Sequence, residues 1–471
     1  MPELDAGALD RLSGALGGGV HLPGSPEYEE SREIWNGDID RRPAVVARCG
    51  TADEVAAAIA FGIEAGLDIT VRGGGHGFSG HAVADGALMI HLTGFKDVHV
   101  DPDARIAYVG GGCQWAEVDA ATAEHGLAVT AGVVSHTGVA GLALGGGIGY
   151  LMNKFGLTCD NIVGAEVVTA AGEVVHASAD EHSELFWALR GGGGNFGIVT
   201  QFEFQLHPLA GDAELGLLFW PLDQGADALR ACREAIRTLP EDMAFNLFGL
   251  DAPEADFVPE MYQGKPGYMI MVISFEGEAQ LQSVLDPIRA AVAPAFEMLT
   301  PVPYPALQQM FDANNPWGTH GYEKALYFEE ISDEAIEIFN KYMVTKQGFL
   351  TNIYGVVFTG AYAAADENDC AFGGPRKKMI QINLSAICRD AEELAADRPW
   401  VRGFWDELLP MADNSGSYVN YMPDVQEDRL RAAYGTEKYE RLARIKAEYD
   451  PQNVFHHNQN IKPAPAAKEA V

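Results

Sequence analysis

The chain has 471 residues, of which 47% are hydrophobic and 21% charged, as expected for a globular protein large enough for two or three domains. Its 67 acidic residues outnumber the 32 basic ones and give a formal net charge of −35. This charge argues against nucleic acid and anionic membranes as partners, since both bind Lys- and Arg-rich surfaces. Two explanations of the acidic surface stay open: strong hydration alone, or a salt-rich cytoplasm that screens the repulsion.

Composition also bears on location. No apolar run approaches the length of a membrane span, and the N-terminus lacks the basic and apolar regions of a signal peptide. The six cysteines are scattered without a C-x-x-C pair, which is typical of a reducing compartment. We therefore expect a cytoplasmic protein; the sequence does not fix its oligomeric state, so a monomer and a homo-oligomer both stay open.

Short strands, helices and glycine clusters alternate from about residue 43 to 208. The predicted elements are a helix over 51–65 with a capping box, strands over 68–71 and 106–110, a helix over 115–125, hairpin strands over 164–169 and 174–177, and a helix over 184–190. Beyond residue 209, strands over 267–275, 352–358 and 379–387 accompany helices over 279–292, 333–343 and 399–409. These indicate an antiparallel sheet backed by helices on one face. A last amphipathic helix is predicted over 437–448.

The segment Val71–Gly80 is the most informative in the chain. Its glycines present backbone without a Cβ, so a flat or anionic ligand could approach closely between Arg72 and His76. Both Gly75–Gly80 and Gly192–Gly197 satisfy G-x-G-x-x-G, but neither stands between a strand and a helix that could hold a pyrophosphate. This context argues against a Rossmann site, and no G-x-S-x-G or Walker A motif supports a hydrolase or nucleoside triphosphatase.

Six segments occur in one characteristic order: Arg72–His76, His136–Gly149, Lys154–Asn161, Arg190–Thr200, Tyr418–Tyr421 and Tyr449–Phe455. With them the chain resembles the covalent-flavin oxidases, namely the berberine-bridge-enzyme-like proteins of the vanillyl-alcohol-oxidase superfamily. The resemblance is closest to the bacterial branch that includes 6-hydroxy-D-nicotine oxidase. Each glycine run is a weak signal alone, whereas the ordered set is a strong one.

The resemblance implies an α+β fold. A two-part FAD-binding domain of the PCMH type would span residues 1–210 and divide near 105, and a substrate domain with an antiparallel sheet would span 211–414. The segment 415–471 would return to the FAD-binding domain. The implied reaction is oxidation of a small alcohol, amine or hydroxylated ring by hydride transfer to flavin N5. O2 is the expected acceptor, although Thr137 aligns near a residue that controls O2 access in relatives, so a dehydrogenase stays open.

His76 stands where the family's histidine bonds to the 8α-methyl of the flavin; the alternative is that it merely caps the glycine turn. Many relatives form a second link through cysteine, but Val134 occupies that position and Cys159 is expected to be a packed residue. One covalent bond is therefore expected. The expected cofactor-binding set is Arg72, Gly73, Gly74, Gly75, His76, Gly77, Ser79, Gly80, His136, Thr137, Gly138, Gly141, Gly145, Gly146, Gly147, Gly149, Ile198, Val199, Asn420, Asn458 and Asn460.

Tyr421 matches the tyrosine assigned as general base in several relatives, with Tyr418 beside it. An unperturbed phenol has a pKa of about 10, so it needs a nearby cation or the flavin's electrostatics to act as a base at neutral pH. The alternative is an ordinary buried tyrosine. Gln381 falls where plant relatives place Glu or Gln beside the flavin, and we expect it to contact substrate. Met379 replaces a lysine of some relatives, which weakens any mechanism that needs that cation.

Lys377 or Lys378 could replace the missing lysine only if the alignment shifts. No metal site is predicted, because adjacent histidines such as His456 and His457 would point oppositely on a strand. His81 lies outside the motif and is expected to be a solvated loop residue. The carboxylates over 392–397 are expected to form a solvated helix face.

Two alternative functions remain at this stage. One is a carbohydrate oxidase or dehydrogenase on the same fold, which would need an open groove lined by aromatic residues; the candidates are Tyr304, Trp317, Tyr322, Tyr327 and Tyr354. The other is a flavin-binding protein without turnover, which only Gln381 and the missing lysine favour.

Overall fold

The computed structural model describes residues 4–413, 418–422 and 427–465. Its first part contains α1 (Ala6–Ala15), β1 (Val20–His21), α2 (Pro26–Arg32), β2 (Val45–Arg48), α3 (Ala52–Glu64), β3 (Ile69–Arg72) and β4 (Leu88–His91). The sheet order is β1-β2-β4-β3, in which β2, β4 and β3 run parallel. The predicted capping box begins α3, where the Thr51 hydroxyl accepts from the Glu54 amide at 3.2 Å. β3 delivers the glycine segment to the edge of this sheet.

A second, antiparallel sheet follows. Its region contains β5 (Val98–Asp101), β6 (Ile106–Gly110), α4 (Trp115–Ala123), β7 (Leu127–Ala128), α5 (Val139–Gly145), α6 (Met152–Phe155), β8 (Ile162–Val168), β9 (Val174–Ser178), α7 (Ser183–Leu189), β10 (Ile198–Gln205) and β11 (His207–Pro208). The order is β5-β6-β10-β8-β9, with β7 and β11 forming a separate pair. Because β5 already belongs to this sheet, the division between the two parts lies upstream of the predicted residue 105, between β4 and β5.

The third sheet has seven antiparallel strands. Its region contains β12 (Ala213–Pro221), α8 (Leu222–Arg237), β13 (Ala244–Asp251), β14 (Pro266–Ser274), α9 (Glu278–Ala291), β15 (Phe296–Val302), α10 (Tyr304–Gln308), β16 (His320–Phe328), α11 (Asp333–Met343), β17 (Asn352–Phe358), α12 (Gly360–Ala364), β18 (Met379–Cys388) and α13 (Ala391–Leu408). The order is β15-β12-β14-β13-β17-β18-β16. Buried apolar residues of α8, α9, α11 and α13 pack on one face, so the predicted helix-backed antiparallel sheet is confirmed.

The chain ends with α14 (Glu427–Tyr434) and α15 (Thr436–Tyr449). α15 ends just before Asp450, and its buried Lys446 ammonium donates to the Asp450 carboxylate at 2.6 Å and to the carbonyls of Asn195 at 2.7 Å and Phe455 at 2.8 Å. These bonds fasten the C-terminal segment to the glycine turn before β10. Short 3₁₀ helices occur at Thr158–Asn161, Asp312–Asn314, Leu409–Met411 and Val419–Tyr421. None of the helices in the described ranges is long and apolar enough to span a bilayer.

One helix differs from the prediction in length and exposure. α13 begins at Ala391 rather than 399, because the Asp390 side chain caps it by accepting from the Glu393 amide at 2.9 Å. The expected solvated face is wrong for Asp397, which is buried and accepts from the Gly348 amide at 2.9 Å and from the Thr351 hydroxyl. Spacing along the helix places Asp397 on the sheet-facing side.

Candidate cofactor and substrate site

A cavity of about 770 Å³ lies between the first two sheets and the face of the third sheet that the helices leave open. One wall is backbone from glycine segments around residues 73–77, 138–141 and 193–197. The opposite wall carries mostly apolar side chains of the seven-stranded sheet, including Leu217, Phe248, Met269 and Met271. A concave, largely apolar site with few polar groups is typical of small-molecule and cofactor binding.

The glycine wall is bare because two chain segments touch there. A Cβ built on Gly74 would lie 2.3 Å from the Cα of Gly138, and one on Gly138 would lie 2.4 Å from the amide nitrogen of Gly74. Gly75 adopts a φ of +71°, which L side chains rarely take. A side chain at Gly74 or Gly138 would separate the two segments, whereas one at Gly77 or Gly141, where an added Cβ would meet nothing within 4 Å, would occupy open space at the wall. The cradle therefore fits a flat ligand such as an isoalloxazine ring.

His76 stands at this wall in a fixed orientation. Its ring stacks on Trp35 with centroids 4.9 Å apart and planes 19° apart, and its Nε2 lies 3.2 Å from Nδ1 of His136. Burial, and then the neighbouring His136, lowers the pKa of His76 to about 3. The imidazole is thus neutral at physiological pH and keeps a lone pair for bonding.

The structure brings most of the predicted cofactor residues to the cavity. Those on its wall are Gly73, Gly74, Gly75, His76, Gly77, Ser79, Thr137, Gly138, Gly141, Ile198, Val199, Asn420 and Asn458. Val134 also lines it, as the position of the family's second attachment should. The prediction of their contacts with a cofactor remains a prediction, but their positions suit it.

Eight predicted cofactor residues do not line the cavity: Arg72, Gly80, His136, Gly145, Gly146, Gly147, Gly149 and Asn460. The glycines of the 145–149 run serve close packing of the protein on itself, since a Cβ on Gly145 would lie 2.2 Å from Asn420 Oδ1 and one on Gly149 1.6 Å from the Ala131 carbonyl oxygen. The Arg72 guanidinium contacts the His91 ring behind the wall. His136 acts on the site through its contact with His76.

The tyrosine pair lies where the 3₁₀ helix Val419–Tyr421 meets the cavity. The Tyr418 hydroxyl accepts from the Gly147 amide and from the Asn420 side chain, each at 2.8 Å, and its ring lies edge-on to Tyr421 at 4.9 Å. Burial, followed by the nearby Glu323, raises the pKa of Tyr421. No Lys or Arg occurs among the described residues of the wall. The protein side chains around Tyr421 thus do not supply the cation that a phenolate base needs.

Gln381 does not reach the cavity, contrary to expectation. It is fully buried in β18, and its Nε2 donates to the Tyr327 hydroxyl at 3.1 Å. Further along the same face of β18, Asn383 and Ser385 line the cavity instead. Lys377 pairs with Glu329 and Lys378 donates to the Arg237 carbonyl, so neither replaces the missing lysine.

Sequence reasoning missed Glu323, the most unusual polar group of the cavity. It lies on β16 opposite Ser385 of β18, and its side chain is buried on the cavity wall. Burial raises the pKa of its carboxyl to about 8. The other wall carboxylate, Asp251, is bonded to Lys346 at 2.6 Å. Glu323 stands directly before Lys324 in β16, so the sequence alone gave no signal that this carboxyl faces a cavity.

Three further expectations concern histidines and cysteines. His81 lines the cavity, and burial lowers its pKa to about 4, so the solvated-loop expectation is wrong. His456 and His457 do not lie on a strand, and both rings approach the Asp68 carboxylate, at 3.3 and 3.1 Å; the argument that they diverge is therefore wrong. Cys159 is buried outside the cavity beside Cys370, which confirms it as a packed residue.

Two protein-family models match parts of this chain, and several known proteins resemble it along most of its length. A model of the FAD binding domain matches residues 43–178, and a model described as berberine and berberine-like matches 417–462. The chain is 29% identical over 467 residues to (R)-6-hydroxynicotine oxidase of Paenarthrobacter nicotinovorans, covering 95% of this chain and 97% of the relative. The solved 6-hydroxy-D-nicotine oxidase from Arthrobacter nicotinovorans superposes with a TM-score of 0.83 at 27% identity, covering 94% and 98% of the two chains.

A second solved structure resembles the chain equally well. It is glucooligosaccharide oxidase from Acremonium strictum, which carries a 6-S-cysteinyl, 8α-N1-histidyl FAD. The TM-score is 0.82 at 25% identity, with 96% of this chain and 99% of that chain covered.

Proposed function

Because the chain belongs to the berberine-bridge-enzyme-like family of FAD-linked oxidoreductases, we propose that it holds FAD covalently through His76 and oxidises a small alcohol, amine or hydroxylated ring, with O2 as electron acceptor. FAD, when bound, supplies the acceptor for the hydride, which carries two electrons away from the substrate. The other requirements, which are binding, orientation and proton transfer, fall to side chains of the cavity.

The observation that carries this proposal is a neutral His76 standing at a wall of bare glycine backbone. Its Nε2 faces His136 Nδ1, so Nδ1 is the nitrogen that we assign to the bond with the 8α carbon. In that arrangement the Nε2 proton is donated to His136, which fixes the reacting tautomer. Val134 offers no thiol at the second position, and none of the described wall residues is a cysteine. A single link is therefore proposed.

The substrate half of the cavity favours a compact and largely apolar molecule. Apolar side chains line much of it, and polar side chains accompany them. The apolar ones include Leu217, Phe248, Met269, Met271 and Phe311, and the polar ones include Asn352, Asn383 and Ser385. Of the five aromatic residues considered for a sugar-binding groove, Tyr354 alone appears among the described wall residues. Sugars need many hydrogen-bonding partners to replace lost water, so a mostly apolar wall favours a less polar molecule. The polar residues of the wall and the similarity to glucooligosaccharide oxidase keep the carbohydrate alternative open.

A substrate panel tests the proposal. The purified protein is mixed without air with cyclic amines, secondary alcohols or oligosaccharides while the visible flavin absorbance is followed, and air is then admitted for a peroxide assay. We expect an amine or an alcohol to bleach the flavin and air to restore it with formation of hydrogen peroxide. Bleaching by oligosaccharides alone, or restoration without peroxide, would contradict the substrate or the acceptor respectively.

A further inference from the structure

We propose that Glu323 selects substrates with a positively charged nitrogen and accepts a proton from that nitrogen before oxidation. This inference rests on the proposed function of the same cavity and narrows its substrate class. It gives the proton-accepting role to a residue of β16 rather than to Tyr421.

The carboxyl group of Glu323 faces the cavity, and no Lys or Arg pairs with it among the described residues of the wall. Its exposed fraction is 4%, and it lies on the wall. Oε2 accepts a long hydrogen bond of 3.4 Å from the Ser385 hydroxyl, whereas Oε1 is buried without a partner among the residues that the structure describes. Burying a carboxylate in this way costs free energy unless a donor or cation reaches it. Once the carboxyl has lost its proton, a cationic ligand in the cavity would supply such a partner.

The nearby Lys and Arg side chains lie on the other face of the sheet, which leaves the cavity side of Glu323 accessible to a ligand cation. Arg398 and Arg402 of α13 lie over the ring of Tyr322 at 5.1 and 5.4 Å, on the helix-covered face of the sheet. Lys324 lies over Trp405 at 3.5 Å on the same side. The titratable groups that share the cavity with Glu323 are phenols, imidazoles and one paired carboxylate: Tyr354, Tyr418, Tyr421, His76, His81, His457 and Asp251. Tyr421 interacts with Glu323 most directly.

The surrounding side chains also suit a cation with an apolar body. Trp35, Phe78, Phe248 and Tyr354 present aromatic rings to the cavity, and a positive charge is attracted to the face of such rings. A neutral polyol could bond to Asn383 and Ser385, but it would bring no positive charge to the buried Glu323 carboxylate. The site therefore favours an ammonium group over a sugar hydroxyl.

In the proposed proton transfer, the substrate ammonium is the donor and the Glu323 carboxylate is the acceptor. The N–H bond of the ammonium breaks, an O–H bond forms on Glu323, and the electron pair stays on nitrogen. The neutral amine can then lose the hydride of its adjacent C–H bond to the electron acceptor, whereas the ammonium cannot. Burial places the pKa of the Glu323 carboxyl at about 8, close to the working pH that suits a general base.

Binding of a permanent cation tests the inference without any turnover. Calorimetric titration of the purified flavoprotein with benzyltrimethylammonium, and with benzyl alcohol as the neutral probe, is run from pH 6 to 9. Because Glu323 must lose its proton to pair with the cation, the Kd of the cation should fall about tenfold per pH unit up to about pH 8 and then level off. The Kd of benzyl alcohol should stay constant.

Two variants and one control make the result specific. Glu323→Gln should abolish the pH dependence, and Ser385→Ala, which removes the bond that lowers the carboxyl pKa, should move the midpoint to higher pH. Asp119→Asn removes another buried carboxyl whose pKa is raised to about 8, outside the cavity, and should leave the profile unchanged. A flat cation profile in the wild type, or an unaltered slope in Glu323→Gln, overturns the inference. Loss of flavin from the wild-type protein would instead overturn the proposed function, whatever the binding result.

Discussion

Replacing Glu323 by Gln should stabilise the fold, and increasingly so as pH rises. Burial raises the pKa of this carboxyl from an ordinary 4.5 to about 8. Below pH 4.5 both folded and unfolded chains hold the proton and nothing is lost. Between pH 4.5 and 8 the folded state keeps a proton that the unfolded chain releases, so the wild type loses about 1.4 kcal/mol of stability per pH unit. The loss reaches about 3 kcal/mol at pH 7 and about 5 kcal/mol above pH 8.

Urea unfolding at pH 4, 7 and 9 measures this difference. Gln keeps an oxygen that can accept from Ser385, so the variant removes the titration while retaining the bond. The wild-type and Glu323→Gln curves should coincide at pH 4 and separate at pH 7 and 9. Glu448→Gln, at an exposed position of α15, should follow the wild type throughout. A difference between wild type and Glu323→Gln that does not change with pH would refute the reasoning.

Three other perturbations have definite outcomes. Lys446→Met should cost about 3–5 kcal/mol in urea unfolding, because it leaves the buried Asp450 carboxylate without its counter-charge and removes a hydrogen bond from two carbonyls. Gly74→Ala should prevent flavin loading, measured by the ratio of flavin to protein absorbance, since its Cβ would lie 2.3 Å from Gly138. Raising KCl from about 0.05 to about 1 M should raise the thermal midpoint, because salt screens the repulsion within a chain of net charge −35.

Each has its own control. Lys462→Met removes an exposed pair with Glu427 and should destabilise the protein far less than Lys446→Met; an equal cost for both lysines would contradict the burial argument. Gly14→Ala, whose Cβ would meet nothing within 4 Å, should load flavin normally. Full loading of Gly74→Ala would show that the wall tolerates a side chain. Equal midpoints at both salt concentrations would count against a salt-adapted surface.

Local signals predicted the elements well because they depend on neighbours in sequence. The capping box at Thr51 begins α3 as predicted, and β17 and α11 have the predicted bounds. The error at α13 also came from a local signal, which in this case was misleading. Pro399 suggested a helix start, but the chain tolerates it inside a helix that Asp390 already caps.

The site could be predicted where backbone alone determines it. Bare glycine and one histidine mark a cradle in any sequence, so Gly73–His76 and Gly138 fall on the cavity wall as expected. Glycines 145–149 show the limit of that argument. A glycine that lets a ligand approach and a glycine that lets Ala131 or Asn420 approach look alike in sequence.

Side-chain roles on the third sheet depended on register between distant strands. Gln381 was expected at the substrate, yet β18 presents Asn383 and Ser385 there and Gln381 bonds to Tyr327. Glu323 gains its significance from pairing opposite Ser385, 62 residues away in sequence. No local pattern encodes such a juxtaposition.

The covalent link through His76 is the central claim, and one measurement tests it most directly. Wild-type protein, His76→Ala and Cys159→Ala are unfolded in acid, freed of small molecules and examined for yellow absorbance and added flavin mass on the polypeptide. The account predicts one flavin on the wild type and on Cys159→Ala, and none on His76→Ala. Flavin retained by His76→Ala, or wild-type protein that becomes colourless on washing, would contradict it.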